Sequence, residues 1–270
     1  MIAAAIFFAL FLWWFSTGVI LAAVSRAGQM EGRGGFIALT LMTLPVLIGG
    51  GALYLRTLEE LSLTAAFTGF AAALAIWGWI ELAFLTGAIT GPDRRSCPPG
   101  ADGLTRFGYG LRAIQYHELA LLLAVALLTV VSSGAPNQVG YWTFLILFFA
   151  RVSAKLNLFL GVPNINVEFL PRPVQHLQTY FGPARTNRLF PFTVTALTLA
   201  LGCWVERAVA RADDPVARTG FTLLSTLTAL AVLEHWLMVV KLPDAALWRW
   251  MIKDRRSTYE TSGIRIPTDG

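Results

Sequence analysis

The sequence predicts an all-α fold, a bundle of seven transmembrane helices with its N-terminus outside the cell and its C-terminus in the cytoplasm. Hydrophobic residues make up 56% of the 270-residue chain and charged residues only 14%, whereas soluble domains contain about 25% charged residues. Seven apolar runs are long enough to cross a bilayer, which takes about 20 helical residues. The basic residues fall mainly between alternate runs, which is the pattern that sets membrane topology.

The first three predicted spans cover residues 2–24, 35–54 and 61–90. The first begins "MIAAAIFFALFLWWFSTGVILAAVSR", which is too long and too apolar for the hydrophobic region of a signal peptide and lacks a basic start. We therefore expect it to remain as a span. The second ends just before Arg56. The third is longer than a bilayer requires, so it can tilt or extend beyond the membrane.

The other four predicted spans cover residues 107–131, 140–160, 189–210 and 220–240. The fifth ends at "GVPN", whose glycine and proline are typical of a helix stop. With seven spans, 16 of the 21 Lys and Arg residues lie on the side opposite the N-terminus and four on the N-terminal side. Leaving out Arg151 and Lys155, which lie inside the fifth span, still gives 14 against four. The positive-inside rule then places the C-terminus in the cytoplasm, and six or eight spans would break the alternation.

Two cytoplasmic segments are expected to lie at the membrane interface. In residues 173–182, Val174, Leu177 and Phe181 recur at helical spacing. Residues 242–256 have an apolar face that bears Trp248 and a basic face that bears Lys253, which suits the headgroup layer. A short cap packed on the bundle is the alternative. We assign residues 1–241 to the membrane domain, 242–256 to the amphipathic segment and 257–270 to a flexible tail.

Several classes of function are excluded. The net charge of +5 does not indicate nucleic-acid binding, because the basic residues follow membrane topology. Cys97 and Cys203 provide neither metal-ligand spacing nor a disulfide framework. Phosphate-loop, dinucleotide-binding and nucleophile-elbow motifs are absent from the sequence.

Ionisable residues inside membrane spans are functional candidates by default. At 1.5 Å per helical residue, those of spans three, four, five and seven lie about 7–15 Å from the cytoplasmic ends of their helices. They form one predicted polar layer, with the shallower Arg112 on the same side. Its members are Glu81, Arg112, His117, Glu118, Arg151, Lys155, Asn157, Glu234 and His235.

Four interpretations of this layer remain open. Three acids and three bases could form a charge-balanced ion-pair network, because a low-dielectric interior penalises unpaired charge. Two His and three Glu resemble the ligands of a di-iron centre, but adjacent "HE" and "EH" diverge by about 100°, whereas di-iron bundles use Glu-x-x-His. His117 or His235 could be an axial ligand to haem iron or to the magnesium of another tetrapyrrole, or could contact a quinone. Proton or ion movement is the fourth, although no broken helices or repeats indicate a transporter.

Six stretches resemble one protein family. They are "WGWIELAFLTGAITGP" (77–92), "YHELALL" (116–122), "NQVGYWTFLILFFARVSAKLNLFLGVPN" (137–164), "EFLP" (168–171), "NRLFPFTVT" (187–195) and "LEHWLMVVKLPDAALWRW" (233–250). They resemble the PuhE-type family of purple phototrophic bacteria, designated photosynthetic complex assembly protein 2. Most members of the predicted polar layer fall within these stretches.

The resemblance implies an assembly factor in the bacterial cytoplasmic membrane or intracytoplasmic photosynthetic membrane. It would support formation of the reaction centre and its core light-harvesting complex by binding their membrane subunits, other assembly factors or pigment. The alternative is a membrane enzyme or carrier for a tetrapyrrole intermediate of the bacteriochlorophyll pathway, with a His/Glu site for a metal or pigment. The resemblance implies no catalytic residues.

Overall fold

The computed structural model describes residues 1–30, 32–165, 167 and 170–240. This part of the chain is helical and contains no strand. Seven of its helical segments are long and apolar enough to cross a membrane, as the sequence predicts. The helices are α1 (Ile2–Ala27), α2 (Gly34–Met42), α3 (Leu44–Thr57), α4 (Leu63–Leu85), α5 (Gly103–Val131), α6 (Val139–Leu160), the 3-10 helix (Arg172–Tyr180), α7 (Phe190–Ala210) and α8 (Pro215–Leu237).

The second span is made of two helices, α2 and α3, which meet at Thr43. Pro45 follows within the first turn of α3. Proline lacks an N–H and its ring clashes with the preceding turn, so it interrupts a helix. The Thr43 hydroxyl donates to the carbonyl of Leu39 at 2.9 Å, so the backbone at the break is partly satisfied from within the span.

The third span is shorter than its apolar run, because α4 ends at Leu85 and residues 86–90 leave the helix. Gly87 there has a φ of 78°, a left-handed conformation that glycine adopts without steric cost. The seventh span instead begins earlier than its apolar run. The Asp214 side chain caps α8 by accepting from the N–H groups of Val216 and Ala217, which brings a polar first turn into the helix.

Helices α4 and α8 lie at the centre of the bundle and are the most buried spans. Helix α4 packs against α3, α6 and α1, and α8 packs against α7, α1 and α6. Small residues such as Ala66, Gly69 and Ala73 lie buried along α4, and Thr222 and Thr226 lie buried along α8. Small side chains let membrane helices approach closely, where van der Waals packing stabilises their association.

The predicted interfacial segment at residues 173–182 forms a 3-10 helix and packs on the bundle. Its buried side chains are Val174, Leu177 and Tyr180, which cluster with Phe84 and Ala113. The 3-10 helix has three residues per turn, so Tyr180 takes the buried position that α-helical spacing assigns to Phe181. The amphipathic segment at 242–256 and the tail at 257–270 lie outside the described residues.

Candidate functional site

Glu81 of α4 and Arg151 of α6 form one intramembrane ion pair. The Arg151 guanidinium donates to Glu81 Oε2 at 2.8 Å. Glu81 retains 13% of its side-chain exposure and Arg151 retains 32%. A charge in this setting is tolerated only when it is paired and hydrogen-bonded. The contact therefore determines which sides of α4 and α6 face each other.

Lys155 of α6 and Glu118 of α5 form a second ion pair one turn away. The ammonium donates to Glu118 Oε1 at 2.5 Å. The two bases are i and i+4 on α6 and therefore share a face, and each takes an acid from a different neighbouring helix. Both cations also approach the ring of Phe84, with Lys155 Nζ at 5.6 Å and Arg151 Cζ at 5.9 Å from its centroid. Such cation–π contacts add to the stabilisation of buried cations.

His117 is fully buried beside the first pair. Its ring packs against that of Phe84, with centroids 4.3 Å apart and planes tilted by 36°. Its Nε2 lies 3.5 Å from Glu81 Oε1, beyond normal hydrogen-bond length. Within the described part of the chain, neither ring nitrogen has a hydrogen-bond partner. Because the side chain retains no exposure, a macrocycle has no access to these nitrogens, and the axial-ligand interpretation is not supported at His117.

The loop after α4 inserts against α5 next to His117. The Thr90 carbonyl accepts from the backbone N–H groups of Tyr116 at 3.0 Å and His117 at 3.2 Å. Gly91 allows this approach, since a Cβ there would lie 2.1 Å from the Arg112 carbonyl oxygen. The loop thereby holds the start of the "HE" pair by its backbone, a role that sequence alone does not reveal.

His235 belongs to a different cluster, on the opposite side of α6. Its Nδ1 donates to the Ala231 carbonyl at 2.8 Å. Because a carbonyl only accepts, Nε2 is the acceptor for the Ser153 hydroxyl at 2.5 Å. Both ring nitrogens are therefore engaged in hydrogen bonds inside the bundle.

Asn157 extends this second cluster toward α7. Its amide donates to the Thr193 hydroxyl at 3.0 Å, and its Oδ1 accepts from Asn187 at 3.0 Å. Asn187 in turn accepts from the N–H groups of Leu189 and Phe190, which satisfies the start of α7. Ser153, Asn187 and Thr193 are absent from the predicted layer. The i, i+4 spacing of Ser153 and Asn157 was the available signal.

Two predicted members, Arg112 and Glu234, belong to neither of these ion pairs. Arg112 is exposed on α5 and lies near enough to Asp93 to lower the pKa of that carboxyl. Glu234 lines a cavity of 230 Å³ together with Asn164 and Leu237, and its carboxylate accepts a hydrogen bond from Trp13. The predicted layer therefore consists of two ion pairs and one hydrogen-bonded cluster. Arg112 and Glu234 belong to none of these three groups.

A cleft of 310 Å³ opens beside the second ion pair. It lies between α5, α6 and the 3-10 helix, and its walls are mainly apolar and aromatic. Glu118, Arg151 and Lys155 are its charged lining residues, whereas Glu81, His117 and His235 do not line it. The aromatic lining residues are Phe84, Phe107, Phe159, Tyr180 and Phe181. Apolar clefts with a few converging polar groups are typical of sites for small molecules.

The donor set does not fit a metal centre. Among the described residues, no three His, Cys, Asp or Glu side chains are placed to hold one metal ion. Glu81 and Glu118 each take a cation from α6 instead. The di-iron interpretation therefore has no ligand cluster in this part of the chain.

The loop outside the membrane between α4 and α5 carries a further ion pair. Arg95 donates from its guanidinium and its backbone N–H to Asp93. These hydrogen bonds lower the pKa of Asp93 to about 2. Arg94 from the same loop donates to the Gly87 carbonyl at 2.7 Å, so the loop is held at the start of its path to α5.

Comparisons with known proteins identify a family and a relative of this chain. A family described as "Protein of unknown function (DUF3623)" matches residues 1–259. The "Uncharacterized 30.4 kDa protein in puhA 5'region" of Rhodobacter capsulatus is 46% identical over 258 residues, covering 96% of this chain and 93% of the relative. No solved structure matches.

Proposed function

Since the chain belongs to the DUF3623 family, and its relative is encoded in the puhA 5' region of a photosynthetic bacterium, we propose that it is a membrane-embedded assembly factor for photosynthetic complexes. Its clients are the reaction centre and the core light-harvesting complex. The location of the relative's gene is the observation that carries this proposal. The membrane is the cytoplasmic membrane or its intracytoplasmic photosynthetic extension.

The geometry favours a binding role over a catalytic one. The buried histidines are sealed or hydrogen-bonded, and the carboxylates of the cleft region are paired with cations. A general acid or base must reach the substrate, and among the described residues Glu118 is the one acid that lines the cleft, held by Lys155. The ion pairs keep α4, α5 and α6 in register, so that the cleft keeps its shape within the bilayer.

The cleft is the element through which we propose that assembly is supported. Helix α5 makes few contacts with α6 compared with those between α4 and α6, which leaves room between α5 and α6. Leu111 and Phe107 at its edge are exposed, so a lipid-dissolved component can enter from the side. The cleft would hold such a component, for example a pigment, until the photosynthetic subunits receive it.

Deletion of the gene and complementation with variants test this proposal. Val152→Phe places a ring inside the cleft, and Leu122→Phe adds the same ring on the outer face of α5, where Leu122 is 52% exposed. We expect deletion and Val152→Phe to lower the amount of assembled core complex, measured on native gels and by near-infrared absorbance of membranes. Leu122→Phe should match the wild type.

Two results would contradict the proposal. Accumulation of one pigment precursor in the deletion strain would indicate the membrane enzyme instead. Unchanged core complex after deletion would remove the assembly role altogether.

A further inference from the structure

The charges around the cleft restrict the ligand that it can hold. Glu81 pairs with Arg151 and Glu118 pairs with Lys155, so the four formal charges cancel. A charged ligand would leave one uncompensated charge within the membrane, which is costly. An uncharged ligand keeps the balance.

The two cations that line the cleft have N–H donors beyond those used in their ion pairs. An ammonium has three N–H donors, and the bond to Glu118 Oε1 uses one of those of Lys155. The Arg151 guanidinium has five N–H donors, its bond to Glu81 Oε2 uses one of them, and its side chain retains 32% of its exposure. Both side chains line the cleft. The group that best satisfies these donors is an acceptor, and a carbonyl oxygen accepts without carrying charge.

The walls of the cleft indicate the rest of the ligand. Five of the lining residues are aromatic, and the three charged ones, Glu118, Arg151 and Lys155, lie toward the middle of the bilayer on α5 and α6. Phe107 and Gly110 line the part of the cleft nearer the start of α5. Glu118 lies about 12 Å along the helix from Gly110 at 1.5 Å per residue. A ligand therefore places its polar end inward and its apolar part along the aromatic walls.

We propose that the cleft binds an uncharged, ring-containing lipophile through a carbonyl oxygen that accepts hydrogen bonds from Lys155 and Arg151. This ligand class rests on the use of the cleft under the proposed function and specifies the chemistry of its occupant. Glu118 orients the Lys155 ammonium and balances its charge. Phe84 packs under both cations and closes the end of the site.

Photolabelling of the purified full chain in mild detergent tests the site. The probe is 4-octylbenzophenone, whose ketone is both the proposed recognition group and the reactive group on irradiation. We expect adducts, mapped by mass spectrometry, on cleft residues such as Leu111, Val152 and Leu156. Val152→Phe should lower this labelling about tenfold, and Leu122→Phe should leave it unchanged. Adducts spread evenly over the outer helix faces in both variants would overturn the proposal.

Competition against the probe tests the chemistry. The competitors are 4-octylacetophenone, octylbenzene and 4-octylbenzoic acid, which differ in the polar group. We expect the ketone to compete at about tenfold lower concentration than the hydrocarbon, which corresponds to a hydrogen bond worth about 1.4 kcal/mol. Equal competition by the hydrocarbon would show that Lys155 and Arg151 do not recognise a carbonyl. Stronger competition by the acid would show that the site takes an anion.

The double variant Glu118→Met/Lys155→Met removes a donor while keeping the charge balance and similar side-chain volumes. It should retain labelling in the cleft and lose most of the preference for the ketone over the hydrocarbon. An unchanged preference would rule out Lys155 as a recognition group. These binding experiments on purified protein are separate from the measurement of core-complex assembly in cells. The proposed ligand class can therefore be refuted while the assembly role holds, and the assembly role can be refuted while the ligand class holds.

Discussion

The ion pair between Lys155 and Glu118 should dominate the stability of the cleft region, and single substitutions should expose this. The two side chains retain 15% and 20% of their exposure. Lys155→Met leaves the Glu118 carboxylate without its cation, and loss of one partner from a buried pair costs about 3–5 kcal/mol. Because both groups also border the cleft, we expect the lower end, about 3 kcal/mol, for Lys155→Met and for Glu118→Met.

The double variant should recover most of this loss. Replacing both partners by apolar residues of similar volume is often neutral or stabilising, so Glu118→Met/Lys155→Met should cost about 1 kcal/mol or less. Additivity of the single variants would instead predict about 6 kcal/mol. Glu118→Gln keeps the shape of the side chain but removes its charge, and we expect a cost of about 2 kcal/mol because the amide oxygen still accepts from Lys155.

Reversible unfolding by SDS in mixed micelles, followed by tryptophan fluorescence, measures these free energies. Leu122→Met on the outer face of α5 is the matched control, and it should change the free energy of unfolding by less than about 0.5 kcal/mol. If the double variant costs the sum of the single ones, the two charges do not stabilise each other. Single costs below about 1 kcal/mol would mean that the pair behaves like a surface salt bridge.

Three further predictions address the surrounding structure. Asn157→Leu removes the contacts of α6 with Thr193 and Asn187 and should lower the free energy of unfolding by about 1–2 kcal/mol. The control Thr198→Val loses only a hydrogen bond to its own helix and should have a smaller effect. Equal effects of the two variants would contradict the interhelical role of Asn157. Gly91→Ala puts a Cβ against the α5 backbone and should lower the free energy of unfolding by about 1–3 kcal/mol. Gly108→Ala, with open space around the added Cβ, should stabilise α5 by about 0.5–1 kcal/mol. An unchanged free energy of unfolding for Gly91→Ala would refute the close approach of the loop to α5. The pKa of Asp93 is lowered from 3.8 to about 2 by the hydrogen bonds from Arg95, so this pair contributes stability above about pH 4 and loses it as the pH falls toward 2. In Arg95→Gln, NMR titration of the Asp93 carboxyl should show its pKa returning toward 3.8. An unchanged titration curve would exclude Arg95 as the cause of the lowered pKa.

Helix α6 shows how far the sequence predicts the site. The alternation of Arg151, Ser153, Lys155 and Asn157 is visible in the printed chain, and the i, i+4 spacing of Arg151 and Lys155 places them on one face of a helix. The structure adds that Ser153 and Asn157 form the opposite face and bind α8 and α7. One helix thus carries an ionic contact on one side and a hydrogen-bonded contact on the other.

The histidines show where sequence reasoning ends. His117 and His235 have equivalent sequence contexts, each beside a glutamate in an apolar run. Within the described residues, His117 packs against Phe84 and neither of its ring nitrogens is hydrogen-bonded, whereas His235 is hydrogen-bonded at both nitrogens. Phe84 and Ser153 come from other helices, and the loop at Thr90 reaches His117 from a distant part of the chain. No local pattern distinguishes the two roles.

The sequence by itself determined the all-helical fold, its seven spans and the residues that bring charge into the membrane, because length, hydropathy and the cost of buried charge are local properties. Tertiary structure alone decided that Glu81 pairs with Arg151, that Glu118 pairs with Lys155, and that a cleft opens between α5 and α6. Those outcomes depend on how each helix is rotated and tilted about its axis. In a bilayer the lipid-facing and core-facing sides are both apolar, so hydrophobic periodicity carries little information about that rotation.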